Sequence, residues 1–416
     1  MGLYRIFIRI YWIAARFLSL FNNKAASFVN GRKNVLNTLK NKIPENKNVI
    51  WFHCASLGEF EQGRPVIEAW KKAYPNDFVL LSFFSPSGYE VRKNYSKADH
   101  ITYLPIDTKT NASRFVKVVR PRKVIFIKYE FWLNYIDVIQ KQGIPLYLVS
   151  GIFREDQHFF KWYGEVFRRR LRKFEYFFLQ NQESADLLQS IGIRNYTISG
   201  DTRFDRVFEI AQHVKSYDYL ETFIRDRIVI VAGSTWPADE KLVIDQLIQA
   251  YRNRIRIIIA PHQVDKPHIQ QLKHLLPDSA AFWTEIGKEA PSETDILVIN
   301  TIGILSSLYQ YADIAYIGGG FGKGIHNTLE AATFGIPVIF GPRYQQFLEA
   351  VDLIDAGAGF SIKNSDEFIK QFDLLINNAE IRKAAGLKAA QYVSSQTGAT
   401  KKILDQISKT TTSFDA

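Results

Sequence analysis

Twelve short runs rich in β-branched and aromatic residues recur along this chain, most of them continuously apolar, and stretches with helical spacing separate them. Seven come first: 48–56 (NVIWFHCAS), 78–85, 100–107, 123–130 (KVIFIKYE), 144–151, 176–181 and 196–200. Five follow: 227–235 (RIVIVAGST), 255–262 (IRIIIAPH), 295–302, 313–320 (DIAYIGGG) and 336–342. A strand that is apolar at consecutive positions is buried on both faces, the mark of a parallel sheet covered by helices. A helical, mixed-charge stretch at 205–226 interrupts the series. The pattern therefore predicts two doubly wound α/β domains with a boundary near 203–227. The first runs over 48–212 and the second over 213–416, and the last helices, 364–377 and 379–394, are candidates to pack back on the first. The end of the chain, from Thr400, reads as a short helix and a frayed tail.

The 416 residues fit two or three domains. A single cysteine, Cys54, excludes a disulfide scaffold and a thiolate cluster and suits a reducing compartment. The net charge of +11 is unevenly spread. Residues 1–48 hold nine basic side chains and one acid, Glu45, so the rest of the chain is nearly balanced, which argues against a nucleic-acid partner. The leader, 1–47, opens with LYRIFIRIYWIAARFLSLF (3–21) and continues as a polar, Lys/Asn-rich connector. At helical spacing Arg5, Arg9, Trp12, Arg16 and Ser19 share one narrow face, while Ile6, Phe7, Ile10, Ile13, Phe17 and Phe21 spread over the remainder. Three arginines oppose a spanning helix and suit an interfacial one, with Trp12 at headgroup level. The alternative is a helix packed on the protein's own body.

In open parallel sheets, ligands sit beyond the carboxyl ends of the strands. Two facing domains of this kind imply a cleft lined by strand-end loops, and the chemistry-bearing motifs fall on such loops. In HCASLGEFEQGRP (53–65), Glu59 stands at the start of a helix, where it suits a proton acceptor; a plain dipole partner, Glu59 or Glu61, is the alternative. In KYEFWLNYI (128–136), Glu130 is a supporting carboxylate or a paired structural one. In IGGGFGKGIHNTLEAATFGIPVIFGP (317–342), Gly319, Gly320 and their neighbours, with His326-Asn327 opening a helix, suggest a phosphate cradle of bare amides. Glu330 is placed for ribose hydroxyls. Ser234, in the Gly233-Ser234-Thr235 turn, Pro261-His262 and Ile302-Gly303-Ile304 end further strands on the same side. The run RRRLRK (168–173) reads as a solvated helix face, with an anionic lipid headgroup as the alternative. No HExxH, CxxC, GxxxxGK[ST] or GxSxG motif occurs, so metal ligands are not expected and Walker ATPases and serine hydrolases lose ground.

HCASLGEFEQGRPVI, KYEFWLN, GDTRFD (200–205), AGSTWPADE, NTIGIL…YADIAYIGGGF and GIHNTLEAATFGIPVIFGP together resemble the ordered motifs of the 3-deoxy-D-manno-octulosonic acid (Kdo) transferase family. The resemblance implies a GT-B glycosyltransferase with two Rossmann-like domains that moves Kdo from CMP-Kdo to a lipid A precursor. Its place would be the cytoplasmic side of the inner membrane of a Gram-negative bacterium, and it would need no cofactor beyond its donor. It implies Glu59 as proton acceptor. It also implies Pro261, His262, Ile302, Gly303, Ile304, Asn327, Thr328, Leu329 and Glu330 on the CMP-binding stretches. The chain departs from the family where Pro261-His262-Gln263 stands for Pro-Arg-His and Ile302-Gly303-Ile304 for Met-Gly-Glu. Rival expectations are a GT-B enzyme using a UDP-sugar, a nucleotide-sugar 2-epimerase, and a membrane-bound nucleotide-sugar sensor.

Overall fold

The computed structural model describes residues 2–224, 227–248, 250–251, 253–286 and 294–409. The final residues of the expected tail lie outside them. The chain forms two units, residues 1–205 with 398–416 and residues 206–397.

The first unit holds β1 (Val49–Cys54), β2 (Phe78–Phe83), β3 (His100–Tyr103), β4 (Pro121–Ile127), β5 (Leu146–Gly151), β6 (Tyr176–Leu179) and β7 (Tyr196–Ile198). All pair in parallel in the order β3-β2-β1-β4-β5-β6-β7. Both faces of the sheet are packed. Val49 and Trp51 join one core cluster with Leu80 and Phe126, while Ile50, Phe52 and Cys54 join the other with Leu81 and Ile127. This two-sided burial is the cause of the uninterrupted apolar runs.

The second unit holds β8 (Ile228–Thr235), β9 (Ile255–Pro261), β10 (Ala281–Phe282), β11 (Ile296–Val298), β12 (Ile314–Ile317), β13 (Val338–Phe340) and β14 (Gly359–Ser361). Their order is β10-β11-β9-β8-β12-β13-β14, again parallel. The two-residue β10 and the three-residue β14, both at sheet edges, lie outside the twelve runs seen in the sequence.

The units divide at Asp205/Arg206, not at 212/213. The element that returns to the first unit is the helix Ala399–Lys409, which inserts Ile403 and Ile407 among Ile50, Phe52 and Ile125. Asp205 fixes its start by accepting from the amides of Gly398 (2.5 Å) and Thr400 (2.6 Å). The helix Ser365–Asn377 instead buries Phe368 and Phe372 in the second unit's core.

The leader also departs from expectation. The connector is two helices, Asn23–Asn30 and Val35–Lys42, and Val35, Leu39 and Ile43 enter the first unit's core at helical spacing. The opening helix, Gly2–Leu18, packs a stripe of Tyr4, Ile8, Trp12 and Ala15 against Phe28, Val29 and Ile106. Trp12 therefore faces the protein, its ring 6.3 Å from Phe28, because an indole gains more from an apolar seat than from the arginine face. The wide face of Leu3, Ile6, Phe7, Ile10, Ile13 and Phe17 stays exposed, 55–85% for each. Among the described residues no helix is long and apolar enough to cross a membrane.

Candidate functional site

The strand order reverses around β1/β4 in the first unit and around β8/β12 in the second. Crevices at such switch points are where doubly wound sheets take ligands. The loops leaving these four strands carry most of the expected site residues.

In the first unit, β1 runs into Ser56, the N-cap of the helix Leu57–Ala73, with Glu59 in its first turn. Ser-x-x-Glu is the signature of a capping box, in which both side chains would bond backbone amides. The molecule does something else. The Ser56 side chain makes no cap hydrogen bond, and its hydroxyl donates to the half-buried Glu59 carboxylate. Glu61 is distinguished from Glu59 by its partners, since Arg92 binds it at 2.6 Å and Arg64 lies at 4.0 Å.

Glu130 follows β4 and is 6% exposed. Its Oε2 lies 3.0 Å from His53 Nε2 and accepts from the Trp132 indole. His53 Nδ1 in turn lies 2.8 Å from Ser82 Oγ, which accepts from the Trp51 indole at 2.7 Å. Glu130 thus belongs to a buried polar chain that braces the ends of β1 and β4, which is the structural reading of this residue. His53 was not singled out from the sequence. Its signal was a lone polar side chain on the otherwise apolar β1. Beside it, Asp107 receives the amides of Asn134 and Tyr135 at 3.1 Å each, and the Tyr4 hydroxyl of the leader helix at 2.5 Å. The run 168–173 is ion-paired at the surface, with Arg168, Arg169 and Arg172 on Glu165 and Arg170 and Lys173 on Asp137.

In the second unit four of the loop's glycine amides are engaged within the protein. Gly318 N donates to Gly233 O (2.9 Å), Gly319 N to Asp239 Oδ2 (2.9 Å), and Gly322 N and Gly324 N to Gly319 O (2.9 and 3.2 Å). The glycines serve close packing. A Cβ on Gly318 would lie 2.4 Å from Ser234 O, and Gly319 has φ +92°. The helix after this loop is only Leu329–Ala332, started by Asn327, whose Oδ1 accepts from Leu329 N at 3.1 Å. Thr328 and Leu329 are fully buried. Glu330 is half-buried and held by Ser306 Oγ (2.5 Å) and Asn327 Nδ2 (3.0 Å).

The organiser of this edge is Asp239, 1% exposed, in the first turn of the helix Pro237–Leu247. It accepts from Tyr316 OH (2.7 Å), Gly319 N (2.9 Å) and Trp236 N (2.9 Å). Its neighbour Glu240 accepts from Thr235 Oγ1 (3.1 Å) and faces His268 Nε2 (3.0 Å), so the Thr235 hydroxyl is already engaged. Burial raises the Glu240 pKa against the pull of His268. Ser234 is the bulged residue of β8 and has φ +53°, a strain of the kind found at ligand sites. Pro261 is buried at the end of β9, with His262 exposed beside it, and Ile302 is 82% exposed next to Gly303.

Three rings gather where β8, β9 and the glycine loop meet. Trp236 and His326 are nearly coplanar (11°), the indole Nε1 donating to His326 Nε2 at 3.0 Å. His262 stacks across both, with ring centres 4.8 and 4.4 Å away. Burial lowers the pKa of both histidines, and for His326 the proximity of His262 adds to it. The sequence hid this cluster, because its members are 26 to 90 residues apart.

A family model described as 3-deoxy-D-manno-octulosonic-acid transferase (kdotransferase) matches residues 12–206. The 3-deoxy-D-manno-octulosonic acid transferase of Aquifex aeolicus is 27% identical over 350 residues, 82% of this chain and 90% of that protein. A bifunctional glycosyltransferase/methyltransferase of Fusobacterium nucleatum is 24% identical over 80% of this chain, which spans only 53% of that longer relative. Among solved structures, a putative UDP-N-acetylglucosamine 2-epimerase from Listeria monocytogenes is similar in fold, with a TM-score of 0.59 and 14% identity over 87% of this chain and 96% of its own. With the ordered motifs and two switch-point sheets of the GT-B kind, the chain is similar to Kdo transferases along most of its length and matches their family model over residues 12–206.

Proposed function

We propose that the protein is an inverting glycosyltransferase that moves Kdo from CMP-Kdo to the primary hydroxyl of the distal glucosamine of a lipid A precursor. The observation that carries this reading is the Ser56–Glu59 pair. The carboxylate stands in the first turn of a helix, and a serine hydroxyl orients it instead of the backbone claiming it. In the reaction, Glu59 accepts the proton of the acceptor hydroxyl as its oxygen bonds to the anomeric carbon of Kdo. The bond from that carbon to the phosphate oxygen breaks, and CMP leaves with the electron pair. One displacement inverts the anomeric centre and needs no covalent intermediate.

Donor contacts belong to the second unit. Glu330 suits the ribose hydroxyls; Ser234, His262 and Asn327 suit the phosphate and its surroundings, with Ile302-Gly303-Ile304 flanking them. Glu130 acts as a positioning residue through His53 and Trp132. The exposed apolar face of the opening helix, bordered by Arg5, Arg9 and Arg16, suits the headgroup–acyl boundary on the cytoplasmic side of an inner membrane.

The test is an assay of CMP release and product mass with CMP-Kdo and a tetraacylated lipid A precursor. Glu59→Ala should lower kcat by about 10²–10⁴-fold while CMP binding, measured by calorimetry, stays unchanged. Near wild-type turnover of that variant removes the base assignment. Turnover with UDP-sugars and none with CMP-Kdo removes the donor assignment.

A further inference from the structure

The ring cluster of the second unit has a proton arrangement that can be read from its geometry. The Trp236 indole has only a donor, and it points at His326 Nε2 at 3.0 Å with the two rings 11° from coplanar. Nε2 must therefore be the lone-pair nitrogen, and in a neutral imidazole the proton then sits on Nδ1. Three things keep the ring neutral. A proton on Nε2 would face the indole N–H head on; burial disfavours the cation; and His262, stacked 4.4 Å away, adds to that penalty, while Asp239 opposes it. The Nε2 edge of the ring lies over Gly319, within 3.4 Å of where a Cβ would stand there, so Nδ1 is on the far side from the glycine loop. Trp236 is itself fixed, its amide donating to Asp239 Oδ2 at 2.9 Å and His262 stacking on its indole.

We infer that His326 presents its Nδ1–H to an oxygen of the donor's phosphate, and that Trp236 is the positioning residue that sets this tautomer. The inference rests on the donor site proposed above and adds to it a neutral hydrogen-bond donor where the amides of Gly318, Gly319, Gly322 and Gly324 are engaged elsewhere. Such a group stabilises charge that grows on the leaving phosphate without first neutralising it in the ground state. No proton is transferred from His326; it only donates a hydrogen bond.

The test pairs two side chains that mimic the two ring nitrogens. In His326→Asn the amide N–H occupies the place of Nδ1, and in His326→Gln it occupies the place of Nε2. The KM for CMP-Kdo should rise at least about tenfold more in His326→Gln than in His326→Asn, the loss expected for one hydrogen bond to a charged group. A tautomer readout independent of turnover uses the full-length protein with ¹⁵N-labelled histidine. The His326 signal, assigned by its absence in His326→Asn, should show a protonated Nδ1 in the wild type and a mixture of tautomers in Trp236→Phe. A proton on Nε2 in the wild type, an unchanged tautomer in Trp236→Phe, or a His326→Gln variant as good as His326→Asn overturns the inference. If the wild type does not use CMP-Kdo at all, the function reading fails. The nitrogen spectrum then still decides whether Trp236 sets the tautomer.

Discussion

Set aside β7 in the first unit and β10 in the second, and the two sheets have the same strand order, third-second-first-fourth-fifth-sixth. What differs is how each finishes its carboxyl edge. The first unit braces β1 and β4 with a buried chain of indoles, His53 and Glu130, and leaves one oriented carboxylate, Glu59, at a helix start. The second pulls a glycine loop onto β8 with a buried aspartate, Asp239, and surrounds it with neutral rings. Shared topology fixes where a ligand goes, while the loop side chains decide whether that place handles a proton or an anion.

The largest effects should come from removing each brace. Glu130→Ala and Asp239→Ala both leave buried donors unpaired and should each cost about 3 kcal/mol of unfolding free energy, measured by urea titration. Their kinetic signatures should separate, with Asp239→Ala raising the KM for CMP-Kdo and Glu130→Ala lowering kcat. Equal signatures would mean that the two edges do not divide the chemistry. Next in size, Glu330→Ala should weaken CMP binding about tenfold by calorimetry, the value of one or two hydrogen bonds, and leave the KM for the lipid acceptor unchanged.

The opening helix sharpens the contrast from the other side, because only the first unit carries it. Phe7→Asp with Ile10→Asp places charges on its exposed face. Co-sedimentation with vesicles containing anionic lipid should fall at least about tenfold, while stability should move by only about 0.5 kcal/mol. Unchanged partitioning would return that face to another role.

The smallest effect is a pH slope peculiar to the second unit. Burial raises the folded-state pKa of Glu240 above the ordinary 4.5, so folding favours the protonated carboxyl. The stability this contributes is complete below the ordinary value and is lost as pH rises through the raised one. Glu240→Gln should flatten that part of the curve of melting temperature against pH; an unchanged slope would assign the trend to another group.

Before any coordinates, twelve strands and two doubly wound sheets could be read, because burial on both faces forces unbroken apolar runs that survive in one dimension. The place of Glu59 in the first turn of a helix was readable for a similar reason, since it stands in a local strand–turn–helix signature. The helical connector was misread although Val35, Leu39 and Ile43 have helical spacing, because its lysines and asparagines dominate its composition. The return of the Ala399–Lys409 helix depends on Asp205, nearly two hundred residues earlier, and no local pattern announces that pairing.

What the sequence by itself determined, then, is the alternation of strands and helices and the loops that leave the strands, since both follow from periodicity and turn chemistry within a few residues. Only the tertiary structure decided that Gly318, Gly319, Gly322 and Gly324 use their amides within the protein, and that Glu130 is braced by His53 while Glu59 is not. It also decided that Trp236, His262 and His326 stack as one group. Each of those outcomes is a contest for hydrogen bonds between groups far apart in the chain, and such a contest is settled by distance in space, which a linear pattern does not record.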